Sequence, residues 1–221
     1  MKVLAIDAGA TKVSGAIVDK INKDTFNLDE AAIEIQYRDH PNFNASFTRT
    51  NLKDQYQNIK ISDLEIQQGN VYMDCIIDLI KHFTSKAPLK IGIATAGIKD
   101  MNNRGITIMA NGPRMPEYLN YRESKINQAV YPLESDANMC VWGEEYALDG
   151  SLRNINNAYY LGGGTGTADG LKLKSKLVPF DQISSWIAKT IELKTRNGES
   201  LESYTSMSGI NKLINRLTSH E

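Results

Sequence analysis

The chain has 221 residues, of which 41% are hydrophobic, so it can bury one large core or two small ones and is not expected to be disordered. Its 25 basic and 26 acidic residues nearly cancel, which argues against a general attraction to nucleic acid or to an anionic membrane. A small or neutral ligand fits this charge balance better.

The two cysteines, Cys75 and Cys140, each stand alone in an apolar, helix-like stretch. This placement favours reduced core thiols in a cytoplasmic protein over a disulfide framework, although a pairing in space stays open. The N-terminal apolar run is too short for a signal peptide because Asp7 interrupts it. No later stretch approaches the roughly 20 apolar residues of a membrane-spanning helix, so we expect a soluble protein.

The first half of the chain contains three predicted strands followed by a helix and a fourth strand. Two β-rich runs flank a short Gly/Ala/Thr segment, which predicts a hairpin with a tight turn. A third strand, a polar insertion with little periodicity at residues 38–67, a helix and a further strand follow. The predicted strands cover residues 3–6, 13–18, 31–37 and 90–94, and the predicted helix covers residues 71–83.

The second half repeats the order strand, glycine turn, strand. The predicted helices cover residues 118–129, 135–148 and 198–217, the last with an apolar face, and the predicted strands cover residues 130–133, 157–161 and 170–173. The glycine hairpin at residues 6–15 is thereby echoed at residues 161–170. We therefore expect two similar lobes facing one another, with a boundary between residues 110 and 111.

The segment DAGATK, residues 7–12, has the composition of a phosphate-binding turn. Gly9 lets the backbone approach an anion, Thr11 adds a hydroxyl, and Lys12 adds positive charge. Asp7, at the end of the first strand, could hold Mg²⁺ directly or through water. An ordinary hairpin turn uses the same residue types, so both interpretations stay open.

The segment GGGTGTADG, residues 162–170, contains five glycines in nine residues. Glycine costs roughly 0.5–1 kcal/mol relative to alanine in regular structure, so a turn alone scarcely explains this density, and a phosphate contact does. The segment is neither a P-loop, because no GKS or GKT follows, nor a dinucleotide-binding fingerprint, because strand-like residues follow. A flexible loop is the alternative.

Asp136 lies where a predicted strand gives way to a helix, within ESDANMCVWGEEY. From there a carboxylate can face a cleft and accept a hydroxyl proton while the hydroxyl oxygen attacks phosphorus. A plain helix cap by Ser135 or Asp136 is the simpler interpretation, and the two roles are compatible. In the segments IATAGIKD and IMANGPR, residues 93–100 and 108–114, Asn111 could hydrogen-bond vicinal sugar hydroxyls and Gly97 could leave space for the sugar ring. Asn-Gly-Pro is also a turn signal, so the turn interpretation stays open.

Taken in order, these segments and LESYTS at residues 201–206 resemble the ROK family of sugar kinases (repressor, open reading frame, kinase). The resemblance spans residues 3–206. It implies an α/β, two-lobed actin-like (ribonuclease H-like) ATPase fold, each lobe a mixed sheet flanked by helices, with ATP and Mg²⁺ bound between the lobes. It also implies transfer of the γ-phosphate to a hydroxyl of a hexose or N-acylhexosamine, and a homodimer.

The resemblance assigns roles residue by residue. Asp136 matches the catalytic base. The phosphate-binding turns match Gly9, Thr11, Lys12, Gly163, Gly164, Thr165 and Gly166. The sugar contacts match Gly97, Asn111 and Glu202, and Ser135 is a further substrate-binding candidate at a position where the family residue differs.

The chain also departs from the family pattern. Ser135 stands where the family has Asn, which predicts altered sugar specificity. The interval between the second glycine turn and LESYTS lacks His and Cys, so we predict no structural zinc, and the Glu and His that usually contact the sugar ahead of that site are absent. The chain ends soon after LESYTS, so the second lobe is expected to be incomplete relative to the family.

These departures leave two alternatives to a sugar kinase. One is a sugar or nucleotide sensor of the same fold without catalysis. A sugar-responsive transcriptional repressor is less favoured among such sensors, because the given sequence begins directly with the first strand and is expected to leave no room for an N-terminal helix-turn-helix. The other is a different actin-like protein, such as an acid kinase or an activator ATPase.

Overall fold

The computed structural model describes residues 2–29, 31–85, 90–126, 131–164, 166–178 and 187–219. The described structure is mixed α/β. Contacts within the chain define two compact units, Met1–Asp136 and Ala137–Glu221. None of the described helices is both long and apolar enough to cross a bilayer.

The first unit is built on a mixed six-stranded sheet. The described residues of this unit form the strands β1 Lys2–Ala8, β2 Lys12–Asn22, β3 Thr25–Leu28, β4 Ile33–Gln36, β5 Lys90–Thr95, β6 Ile98–Lys99, β7 Ile106–Ile108 and β8 Glu134–Ser135. The sheet has the strand order β3-β2-β1-β5-β8, and β4 also pairs with β2; a separate hairpin joins β6 to β7. The β1–β2 pair is antiparallel, whereas β1, β5 and β8 are parallel.

The predicted first hairpin and the strand at residues 90–94 are confirmed as β1, β2 and β5. The strand predicted at residues 130–133 is wrong: residues 131–133 carry no strand pairing, and residue 130 lies outside the described residues. Pairing begins one residue later, where Glu134 and Ser135 lie opposite Ala94 and Thr95. The sequence prediction also missed β3, which extends the first hairpin.

In the described part of the first unit the α-helices are α1 Leu52–Tyr56, α2 Asp63–Thr84 and α3 Tyr118–Lys125. The segment 38–67, predicted to be a polar insertion with little periodicity, contains α1 and the start of α2. Helix α2 begins at an N-cap that the sequence analysis missed: the Ser62 side chain accepts a hydrogen bond from the Glu65 N–H at 3.2 Å. The helix predicted at residues 118–129 ends at Lys125, and residues 127–130 lie outside the described residues.

The core of the first unit lies between α2 and the sheet. Helix α2 approaches β2 so closely that a Cβ at Gly15 would lie 2.8 Å from Leu79 Cδ2. The unit extends beyond the expected boundary at residue 110, because side chains from residues 106–119 join the same core and β8 pairs with β5. Members of this core from α2 and from that later segment include Tyr72, Cys75, Ile76, Leu79, Ile80, Ile106, Met109, Met115, Tyr118 and Leu119.

The second unit carries a three-stranded antiparallel sheet in the order β11-β10-β9, formed by β9 Ala158–Gly163, β10 Thr167–Leu173 and β11 Lys176–Val178. Helix α4, Asp136–Tyr146, leads into this unit and packs on the sheet, where a Cβ at Gly170 would lie 1.7 Å from Val141 Cγ2. These elements confirm the predicted helix after Ser135 and the predicted strand, glycine turn and strand.

The predicted closing helix is two helices, α5 Glu202–Thr205 and α6 Met207–Thr218. The break falls at Ser206, whose side chain caps α6 by accepting the Gly209 N–H at 3.2 Å. The apolar residues expected to form one face of this helix are exposed in the described structure: Leu201, Tyr204, Ile210, Leu213, Ile214 and Leu217.

Candidate functional site

The carboxyl ends of three parallel strands meet at one edge of the first unit's sheet. Ala8 of β1 lies opposite Thr95 of β5, and Thr95 lies opposite Ser135 of β8. In open α/β sheets, ligands bind at this edge because the loops and helix N-termini that leave the strands surround it. The strand order thereby brings the first glycine turn, the Gly97 loop and the start of α4 to one edge.

Two carboxylates lie near each other at this edge. The pKa of Asp7 is raised, first because protein atoms shield part of the carboxylate from water and second because the negative charge of Asp136 is close. Lys12 acts in the opposite direction, since its positive charge favours the ionised form. The half-buried Asp136 at the first position of α4 is therefore in electrostatic contact with Asp7.

The pair has the chemistry of a divalent-cation site. A cation such as Mg²⁺ prefers oxygen ligands, and its charge would oppose both the burial and, to a lesser extent, the repulsion from Asp136 that raise the pKa of Asp7. Among the described residues, no group of three or more His, Cys, Asp and Glu side chains could hold a metal ion. Water or phosphate oxygens would have to complete the coordination, as is usual for Mg²⁺ bound with a nucleotide.

Hydrogen bonds from two tyrosines anchor the backbone of the first glycine turn. The Gly9 N–H donates to the Lys12 carbonyl at 3.0 Å, which closes the turn. The Tyr72 hydroxyl of α2 donates to the Ala10 carbonyl at 2.7 Å, and the Tyr37 N–H donates to the Thr11 carbonyl at 3.1 Å. Three anchored carbonyls leave the turn little freedom to rearrange.

Lys12 departs from the role that its position suggested. Its ammonium group forms an ion pair with Glu34 on the neighbouring strand β4, and Ser14 Oγ donates to the same carboxylate at 3.1 Å. These contacts, led by the hydrogen bond from Lys12, lower the pKa of Glu34. Part of the charge expected to face a phosphate is therefore already compensated within the sheet.

The backbone conformation and the close packing at position 97 require glycine there. Its φ of +88° lies in the left-handed region, and an added Cβ would lie 2.5 Å from the Ile108 carbonyl oxygen. The close approach of the β6–β7 hairpin thus explains this glycine without a sugar ring. The Lys99 ammonium group closes the same loop by donating to the Thr95 and Gly97 carbonyls, at 2.5 and 3.0 Å.

Asn111 follows the same hairpin and is half-buried. Its side-chain oxygen accepts a hydrogen bond from Arg49 Nη1 at 3.1 Å. Arg49 belongs to the segment that the sequence prediction described only as a polar insertion. No sequence signal joined the two, because they are 62 residues apart and lie in loops without periodicity.

The second glycine turn connects β9 to β10 in the second unit. The Gly164 N–H donates to the Gly166 carbonyl at 2.9 Å, and the Met207 N–H donates to the Gly164 carbonyl at 2.9 Å. Thr165 lies outside the described residues. Gly163 pairs with Thr167 at the end of the hairpin, so it belongs to β9 rather than to the turn.

Glu202 contacts this turn directly. Its carboxylate accepts the Thr167 N–H at 3.2 Å, and a Cβ on Gly166 would lie 3.4 Å from the same oxygen. Thr205 adds a hydroxyl contact of 2.9 Å to Thr167. The helix that carries the LESYTS motif therefore supports the second glycine turn, a contact that the sequence prediction missed.

Asp169, which lies within the second glycine segment, has hydrogen-bond partners inside the protein. It is 3% exposed and accepts hydrogen bonds from the Tyr159 hydroxyl at 2.5 Å and from Thr190, through Oγ1 at 2.9 Å and N–H at 3.2 Å. These bonds attach residue 190 to the β9–β10 sheet.

The predicted lack of structural zinc stays a prediction, because residues 179–186 of the relevant interval lie outside the described residues.

No protein-family model matches the chain, and no curated protein matches its sequence. Solved structures do match it. A protein from Cytophaga hutchinsonii proposed to be a sugar kinase has a TM-score of 0.63 and 17% identity, covering 100% of this chain and 63% of that one. An inorganic polyphosphate/ATP-glucomannokinase from Arthrobacter sp. strain KM has a TM-score of 0.63 and 16% identity, and the match covers 96% of this chain and 70% of that one.

A ROK family glucokinase from Streptomyces griseus, in complex with glucose and AMPPNP, has a TM-score of 0.56 and 19% identity and covers 80% of this chain and 46% of that one. The chain thus spans between about half and two thirds of the length of these proteins. At such identities the similarity is one of fold. The described α/β fold is that of solved sugar-kinase structures, among them a member of the ROK family.

Proposed function

We propose that the chain carries out ATP-dependent phosphorylation of a hydroxyl on a hexose or N-acylhexosamine, with Asp136 as the general base. The observation that carries the proposal is that Asp136 directly follows β8 at the carboxyl edge of the sheet and is close enough to Asp7 for the two charges to interact. The fold similarity to sugar kinases supports it, and so does the AMPPNP and glucose complex of the Streptomyces griseus protein.

In this mechanism Asp136 accepts the proton of the acceptor hydroxyl as its oxygen bonds to the γ-phosphorus. The bond from that phosphorus to the bridging oxygen breaks, and ADP leaves with the electron pair. Catalysis of phosphoryl transfer rests mainly on positioning the reactants and stabilising charge. The turn at Gly9 and Thr11 is proposed to position the phosphates, because its hydrogen bonds hold its backbone in place. Gly163, Gly164, Thr165 and Gly166 are the second candidate contact for the phosphates.

The cofactor proposed is Mg²⁺, held by Asp7. When bound, it would neutralise phosphate charge that develops during transfer. The proposed sugar contacts are Gly97, Asn111, Ser135 and Glu202. Two of these side chains also have partners within the protein: Asn111 accepts a hydrogen bond from Arg49, and Glu202 accepts one from the Thr167 N–H.

The test is ADP release in a coupled assay with hexoses and N-acylhexosamines, comparing the wild type with Asp136→Asn. General-base assistance typically contributes 10²–10⁴-fold, so turnover should fall by about that factor while sugar affinity changes little. Asp149→Asn is the matched control, since it makes the same chemical change at an exposed residue. Equal turnover by wild type and Asp136→Asn would refute the assignment.

Replacing ATP by polyphosphate in the same assay identifies the phosphoryl donor. Sugar or nucleotide binding by calorimetry without any ADP release would instead identify a sensor. Turnover of acetate or a similar acid, but of no sugar, would point to an acid kinase.

A further inference from the structure

Arg49 gives the proposed acceptor site a positive charge. It donates to the Asn111 side-chain oxygen at 3.1 Å and is itself exposed. Within the part of the chain that the structure describes, Arg49 forms no ion pair with a carboxylate. A guanidinium group remains charged at every relevant pH, so this charge is permanent.

Buried groups fix the backbone beside Arg49. The neighbouring Thr50 donates through Oγ1 to Glu65 at 3.1 Å, and its carbonyl accepts from the Gln55 side chain at 2.6 Å. Glu65 and Gln55 are 1% and 2% exposed, so these bonds are shielded from competing water. Arg49 is therefore presented by an anchored segment and not by a loose loop.

The same buried groups hold the loop that carries Asn111. The Gln55 side chain accepts the Met109 N–H at 2.8 Å and donates to the Met109 carbonyl at 3.0 Å, two residues before Asn111. Glu65 accepts the Arg114 N–H and Nε, both at 2.9 Å, three residues after it. One buried network thus sets the position of Arg49 relative to Asn111.

The contact also sets what Asn111 offers to a ligand. Because Arg49 donates to the side-chain oxygen, one of the two acceptor positions of that oxygen is occupied, while the amide NH₂ offers two donors. Arg49 keeps further N–H donors in a planar fork that matches a carboxylate or phosphate. Both residues therefore present donors, and an oxyanion is the complementary ligand group.

We propose, on the basis of the proposed kinase function, that Arg49 is a specificity-determining residue and that the acceptor is a sugar bearing an oxyanion. A carboxylate and a phosphate share the required chemistry. The oxyanion would bind Arg49 and the Asn111 amide, while the hydroxyl to be phosphorylated faces Asp136.

The experiment compares D-glucose, D-glucuronate and D-glucose 1-phosphate as acceptors for wild type, Arg49→Gln and Arg49→Lys. The wild type should use at least one anionic sugar with a kcat/KM about tenfold above that for D-glucose, mainly through a lower KM. Arg49→Gln should remove the preference for the anionic sugar over D-glucose. Arg49→Lys should keep part of this preference, because lysine retains the positive charge but lacks the planar guanidinium fork. Whichever anionic sugar is preferred identifies carboxylate or phosphate as the group recognised.

Lys53→Gln is the matched control, because it removes the same charge from an exposed position of the same segment, and it should leave the ratio unchanged. A wild type that prefers D-glucose, or an equal ratio in wild type and Arg49→Gln, would overturn the proposal while leaving the kinase function intact. If no sugar is phosphorylated, the kinase function fails, and calorimetry with the same three sugars still decides the role of Arg49. Loss of anionic-sugar binding in Arg49→Gln supports it, and equal binding overturns it.

Discussion

The ion pair between Glu65 and Arg114 is buried in the first unit, so removing one of its charges should lower the free energy of unfolding. The side chains are 1% and 4% exposed, and Arg114 Nη2 donates to the Glu65 carboxylate at 2.8 Å. The main-chain N–H and Nε of Arg114 add two bonds of 2.9 Å to its other oxygen. Glu65→Gln keeps the shape but turns one acceptor oxygen into an NH₂ that faces Arg114, so the cation remains buried without its counter-charge.

Removing one partner of a buried ion pair typically costs 3–5 kcal/mol. We expect a loss of about 3 kcal/mol in the free energy of unfolding, at the low end because Arg114 Nη1 keeps its bond of 2.8 Å to the Ile59 carbonyl. Urea unfolding followed by far-UV circular dichroism measures the loss. Hydrogen exchange of peptides from α2 should show it locally. A loss below about 1 kcal/mol at neutral pH would refute the reasoning.

The pH dependence of the same variant gives a second check. Burial alone would raise the pKa of Glu65, but hydrogen bonds and charge from Arg114 outweigh burial and lower it. A lowered pKa in the folded state stabilises the fold above the unfolded-state pKa of about 4.3, and this stabilisation is lost as pH falls through the folded-state pKa. The stability gap between wild type and Glu65→Gln should therefore narrow below about pH 4, and a constant gap would contradict the attribution.

Two further substitutions test the supports of the site. Gly97→Ala should cost on the order of 1–3 kcal/mol in unfolding free energy, because Cβ would lie 2.5 Å from the Ile108 carbonyl at a φ of +88°; Gly92→Ala, with open space at Cβ, is the control, and equal costs would exclude a steric cause. Tyr72→Phe removes the bond to the Ala10 carbonyl and should cost about 1 kcal/mol while raising the KM for ATP more than the KM for the sugar. An unchanged KM for ATP would show that Tyr72 does not position the turn.

The local patterns of the sequence were sufficient for most elements of the fold. Alternating apolar residues around DAGATK predicted the β1–β2 hairpin, and helical spacing from residue 71 predicted α2, because both patterns depend on neighbours close in sequence. The motifs also led to the fold of sugar-kinase structures and to Asp136 at a strand-to-helix junction. The strand before Asp136 was misplaced because β8 has only two residues, too few for a periodic signal.

Tertiary structure decided which partners the predicted site residues have. It paired Lys12 with Glu34, placed Glu202 against the second glycine turn and gave Asn111 a charged neighbour in Arg49. None of these contacts leaves a pattern in the sequence, because each joins residues at least 22 positions apart through side chains of ordinary type. Local propensity sets the element in which a residue lies, whereas its chemistry depends on the groups that packing brings to it across long sequence separations.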